Sequence, residues 1–203
     1  MPPTRIEELH LALSAGDLLR KALKRACSAL PGEVRSVPIE HWNESVFRWL
    51  LVRHLLAVAP GTQCWSEWHR VDLVLPAASG ATLIELKFYA HRPLRDQSTG
   101  VIRMKGGPSD QNVREFNSSV DNLVGNAARH WTRACGGIRA GYVVLAYCDS
   151  IRATGKPTYA SYYGKLQPQG SVASVETIVE ELALDSDTLL TCKLLTVHVE
   201  PAA

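Results

Sequence analysis

The sequence predicts an α/β fold, a mixed central β-sheet flanked by helices. Three observations carry that expectation. Two N-terminal segments show helical apolar spacing, three strand-like runs follow one another between residues 62 and 90, and a further helix precedes a buried-type strand that ends near residue 148. The element order is therefore helix, three strands, helix, strand (αβββαβ). An N-terminal helix stands before it and C-terminal additions come after.

Each element has its own signal. "SAGDLLRKALKRACSALPG" reads as a helix that starts near Ser14 and is closed by Pro31-Gly32. "EHWNESVFRWLLVRHLLAVAPG" is a stronger one, with Phe47, Leu50, Leu51, Leu55 and Val58 at helical spacing and Pro60-Gly61 as its stop. The runs "TQCWSEWHR", "VDLVLP" and "ATLIELKFYA" read as strands, the last two joined as a hairpin through "PAASGA". A loop is expected from Arg92 to Pro108. Ser109 is the expected N-cap of "DQNVREFNSSVDNLVGNAARHW", whose stripe is Val113, Phe116, Val120, Leu123, Ala127 and Trp131. Gly136-Gly137 breaks the chain before the strand "AGYVVLAY". The tail suggests a short helix near 173–183 and a final strand, "LLTCKLLTVHVE".

At 203 residues the chain suits a single domain able to bury a full core. We expect a core over about 40–148, an N-terminal helical extension over 1–39 and a C-terminal elaboration over 149–203. The chain is 46% hydrophobic and 21% charged, and its net charge of +2 does not by itself announce a nucleic-acid binder. Charge is unevenly placed, however. No acidic residue stands between Asp121 and Asp149, where Arg129, Arg133 and Arg139 occur; no basic residue stands between Lys165 and Lys193, where Glu176, Glu180, Glu181, Asp185 and Asp187 occur. One positive and one negative surface follow from that pattern. The five cysteines are widely spaced with no C-x-x-C pair, which argues against a disulfide framework or zinc site and for a reducing, cytoplasmic location. The N-terminus has no apolar signal core, and Arg48, Arg53 and His54 interrupt the most apolar helix, so no membrane association is expected.

Chemistry concentrates in "TLIELKFYA". Residues two apart on a strand share a face, so Glu85 and Lys87 lie together opposite Ile84, Leu86 and Phe88. Charges on a central strand need partners or a metal, because removing them from water costs several kcal/mol. Asp72 precedes Glu85 by thirteen positions, on the neighbouring strand of a hairpin. Two carboxylates and an ammonium then converge. Hard divalent cations such as Mg²⁺ bind one or two carboxylates with substrate phosphate and water, and a nearby ammonium stabilises charge growing on phosphorus. Glu44 lies on the core-facing stripe of its helix, as a first-turn carboxylate favoured by the helix dipole or as an extra ligand reaching the sheet.

Asp72, then Glu85-Leu86-Lys87, preceded by a helix bearing Glu44, resembles the PD-(D/E)XK nuclease superfamily, with its restriction-endonuclease-like core, over roughly residues 40–148. The resemblance implies that Asp72, Glu85 and Glu44 hold Mg²⁺, with Mn²⁺ able to substitute, and that Lys87 assists the attacking water. Catalysis would fall to Asp72, Glu85, Lys87 and Glu44. Val71 stands where the family name has proline, and Gln111 is followed by Glu115 where some exonuclease-like members carry Gln-x-x-x-Tyr. The segment after the catalytic strand holds Arg92, Arg95, Arg103 and Lys105, with Arg114 on the next helix; such basic groups beside a phosphodiester site suit contact with the DNA backbone.

The expected activity is Mg²⁺-dependent DNA endonuclease cleavage, of restriction or phage-defence type by family analogy, and a homodimer would suit cutting both strands. Two alternatives stand beside it: a DNA-binding or assembly subunit with a decayed site, and a structure-specific repair or resolvase nuclease. Glu67 and His69 are weaker candidates, read first as ordinary strand and surface residues. No H-E-x-x-H, phosphate loop, dinucleotide fingerprint or nucleophile turn is present.

Overall fold

The computed structural model describes residues 14–68, 70–95, 98–99, 102–153 and 155–199, without the side chains of Trp68, Asn126 and residues 92–95 and 102–105. Helix α1 (Ala15–Ser36) begins where Ser14 Oγ accepts the Asp17 N–H at 3.1 Å. It does not close at Pro31-Gly32 as expected; Pro31 lies inside it. Leu30 and Val34, one turn apart, are both buried in the cluster that holds Leu23 and Cys27. Packing of that stripe outweighs the one helical hydrogen bond that proline removes. After a 3₁₀ turn (Ile39–His41), helix α2 (Glu44–Val58) starts at Asn43, whose side chain accepts the Val46 N–H.

The sheet has six strands: β1 (Trp65–Trp68), β2 (Val71–Ala77), β3 (Gly80–Ala90), β6 (Ile138–Ser150), β7 (Val172–Ala183) and β8 (Thr188–Val197). Their order across the sheet is β1-β2-β3-β6-β8-β7. Only β3 and β6 run parallel; the other neighbours are antiparallel, so the sheet is mixed as expected. β2 turns into β3 through Ala78-Ser79, from the pair Ala77↔Gly80. Gly80 is required there: its φ is +121°, and a Cβ would meet the Gly137 carbonyl oxygen at 2.7 Å.

Two further expectations are corrected. The segment after β3 is no plain loop, since β4 (Arg92–Arg95) and β5 (Ile102–Lys105) pair as a separate antiparallel hairpin. Its basic residues and Pro93 hide it from a reading based on strand propensity. The expected tail helix over 173–183 is strand β7. Irregular register between Val172/Ser174, Thr177/Val179 and Val179/Leu182 spaces Val172, Val175, Ile178 and Leu182 three or four apart, so an edge strand mimics helical periodicity.

Helices cover both faces. α1 and α2 pack on one, where Leu19, Leu23 and Leu51 meet Ile84, Val144 and Leu194. The other face is covered by α3 (Asp110–Asn122), a π-helical turn (Leu123–Ala127) and α4 (Ala128–Cys135), which bring Phe116, Leu123 and Trp131 against Leu83, Val143 and Leu195. Ser109 caps α3 in a reciprocal capping box with Asn112. A short helix, α5 (Tyr159–Tyr163), went unforeseen; Asp149 at the end of β6 accepts the Tyr159 and Ala160 N–H groups at 2.7 and 2.8 Å. All five cysteines are free thiols. Among the described residues, no helix is long and apolar enough to cross a membrane.

Candidate active site

The β2–β3 ladder runs from Ala77↔Gly80 to Leu73↔Ile84 and ends there. One further step in the same register sets Asp72 opposite Glu85. The β1–β2 ladder pairs Ser66 with Leu73 and Trp68 with Val71, so its intervening step sets Glu67 opposite Asp72. Three carboxylate-bearing residues thus occupy one row across three adjacent strands. Like charges directly across a sheet are destabilising, and the chain answers the conflict in a different way at each position.

Asp72 is the most heavily held. Its Oδ2 accepts the Leu86 N–H at 2.7 Å, in place of a ladder partner, and its Oδ1 accepts from Arg48 Nη1 at 2.9 Å. Arg48 projects from α2, one turn beyond Glu44, and is buried. Its Nη2 donates to the Glu67 carboxylate, so a single guanidinium bridges two members of the row. Glu67 adopts a left-handed backbone with φ of 52°. The sequence showed Arg48 only as an interruption of an apolar stripe; that a buried charge needs partners was the signal that could have found it.

Glu85 is only 6% exposed. Asn122 Nδ2, at the end of α3, donates to its Oε1 at 3.3 Å. Burial, and then the Asp72 carboxylate beside it, push the Glu85 carboxyl up to about 9. Lys87 shares this end of the strand and donates to Glu44 Oε2 at 3.2 Å. Burial also raises Glu44, against the pull of Lys87. The four residues predicted to act together, Asp72, Glu85, Lys87 and Glu44, are therefore linked at one place by direct contacts and by the register.

A cleft of about 520 Å³ opens beside Glu85. Ser118, Ser119 and Asn122 line it from α3, Gly125 from the π-helical turn, and Arg70 from the β1–β2 turn. A π-helical turn at a cleft wall is a recurrent mark of functional sites. The basic residues predicted to bind nucleic acid are only partly described. Arg114 is exposed on α3, whereas the side chains of Arg92, Arg95, Arg103 and Lys105 lie outside the described residues, as does His69.

Among the described residues, no three His, Cys, Asp or Glu side chains form a ready metal cage. The oxygen donors nevertheless suit a hard divalent cation, because Asp72 and Glu85 are crowded enough for one carboxyl to be driven towards its neutral form. Compared with protein-family models, curated proteins and solved structures, the chain matches none.

Proposed function

We propose that the chain is a divalent-metal-dependent nuclease of restriction-endonuclease-like fold that hydrolyses phosphodiester bonds in DNA. The observation that carries this reading is the convergence of Asp72 and Glu85 where β2 leaves β3, with Lys87 two residues along the same strand. Asp72 and Glu85, with Glu44 behind them, would hold Mg²⁺ or Mn²⁺. When bound, such an ion polarises a phosphoryl oxygen and lowers the pKa of water. The protein's own groups have separable tasks. The Leu86 N–H and Arg48 fix the Asp72 carboxylate, Asn122 orients Glu85, and Glu44 aims the Lys87 ammonium. A charge so held can stabilise negative charge on phosphorus without reorganising.

The observed element order, α2, β1 to β3, α3 and β6, supports the fold assignment, with β8 and β7 extending the sheet beyond it. Restriction or phage defence is the biology we favour, in the cytoplasm and with a homodimer to cut both strands. A second reading, a subunit that binds DNA without cutting it, has one observation in its favour: Arg48 already supplies a cation to Asp72, where a metal would otherwise be needed. Incubating purified protein with supercoiled, linear and branched DNA, in Mg²⁺ or EDTA, separates them. Metal-dependent cutting supports the nuclease; binding without cutting in any divalent metal supports the subunit; preference for branched DNA supports a resolvase.

A further inference from the structure

Arg70 occupies a position at which the fold favours a different residue. It sits in the β1–β2 turn with φ of 64°, a left-handed conformation that glycine adopts freely and an L side chain adopts only with strain. The turn is held there by Asn122, whose Nδ2 donates to the Arg70 carbonyl at 2.8 Å. The same nitrogen donates to Glu85 Oε1, so one amide locks the strained turn to the candidate catalytic carboxylate. The Arg70 side chain is exposed to solvent. Strain retained beside a site points to a side chain kept for what it does rather than for what it stabilises.

Arg70 lines the cleft beside Glu85, as does Arg129, from the stretch of chain without acidic residues. Ser118, Ser119 and Asp121 line the same space, so the two arginines share it with two acidic residues, Asp121 and Glu85. The volume, about 520 Å³, is that of a small-ligand site. We infer that this cleft takes the sugar-phosphate backbone next to the scissile bond, with Arg70 as its principal phosphate grip and Arg129 as a second. The inference rests on the nuclease reading and specifies how its substrate is held. Arg70 is then a binding residue set by Asn122 at a fixed distance from the chemistry.

The test measures DNA affinity and thermal midpoint together. A short fluorescein-labelled DNA duplex and its single strand are titrated by anisotropy in Mg²⁺, in a Lys87→Met background so that the probe survives. Arg70→Gly relieves the backbone, so the thermal midpoint is expected to hold or rise. Loss of one phosphate contact should weaken binding roughly tenfold near physiological salt and lower the salt slope by about one. Arg70→Lys should retain most of the binding. Unchanged affinity and salt slope in Arg70→Gly overturn the inference and leave the nuclease reading standing. A lower midpoint in Arg70→Gly, with equal binding loss in Arg70→Lys, marks the residue as structural and also overturns it. A parent that binds neither probe, alongside wild type that cuts no DNA, removes both readings.

Discussion

Replacing Glu85 with glutamine should remove one part of the pH dependence that weakens the metal-free wild type. In the folded chain the Glu85 carboxyl is raised from its ordinary 4.5 to about 9 by burial and by Asp72. The unfolded chain ionises near 4.5, so between these values the folded state holds a proton that the unfolded state has lost. Stability conferred by the neutral carboxyl is thus complete below 4.5 and declines as pH rises towards 9. Each unit corresponds to about 1.4 kcal/mol, so the interval from pH 4.5 to 7 amounts to about 3 kcal/mol. Glu44 shifts in the same direction, but it is common to both proteins and drops out of their difference. Urea unfolding in EDTA, followed by tryptophan fluorescence at half-unit steps of pH, gives that difference directly. Wild type minus Glu85→Gln should slope downward across the window, and Mg²⁺ should restore wild type alone at pH 7. A difference independent of pH would refute the crowding of Asp72 and Glu85 on which the metal site depends.

Arg48→Met should destabilise the metal-free protein by about 3–5 kcal/mol, because it strips Asp72 of its buried partner; divalent metal should return part of this in the same urea experiment. Calorimetry with Mn²⁺ should show weakened binding in Asp72→Asn, and equal binding would remove that ligand. Lys87→Met should preserve folding and Mn²⁺ binding but lower cleavage by roughly a hundredfold or more, as expected for losing one charge-stabilising donor; full activity would eliminate Lys87 from the mechanism. Combined alanine replacement of Arg92, Arg95, Arg103 and Lys105 should reduce both DNA affinity and its salt dependence in an anisotropy titration, and an unaltered slope would confine the DNA path to the Arg70 cleft.

What could be read in the sequence followed from local periodicity. Helix α2, the hairpin from β2 to β3, the Ser109 cap and the stripe from Phe116 to Trp131 all follow from local patterns, and the structure has them there. β7 was misread because bulges altered its spacing, and α1 was cut short because burial of Leu30 and Val34 is a tertiary effect that Pro31 does not reveal. The site divided along the same line. The closeness of Asp72 to Glu85 and the shared face of Glu85 and Lys87 follow from register and strand alternation, whereas the contact of Lys87 with Glu44 was seen only in the structure. Asn122 and Arg70 come into the site through pairings between elements that nothing in their immediate neighbours marks, while Arg48 was marked only as a charge within an apolar stripe.

The strand that pairs with β3 at Glu85 contributes no side chain to the chemistry. Val143 of β6 is its ladder partner, fifty-eight positions further along the chain, across the parallel pairing. Residues 44–87 contain the whole row of carboxylates together with Arg48 and Lys87, yet until β6 is made that row has one side open to water. Parallel pairing across so long a connection is slow to form, since loop closure precedes any gain from contact. Before that pairing forms, the acidic cluster lacks the neighbour that closes this side of the row. Its unusual electrostatics need that distant, chemically silent strand in place, so the row is complete only in the assembled sheet.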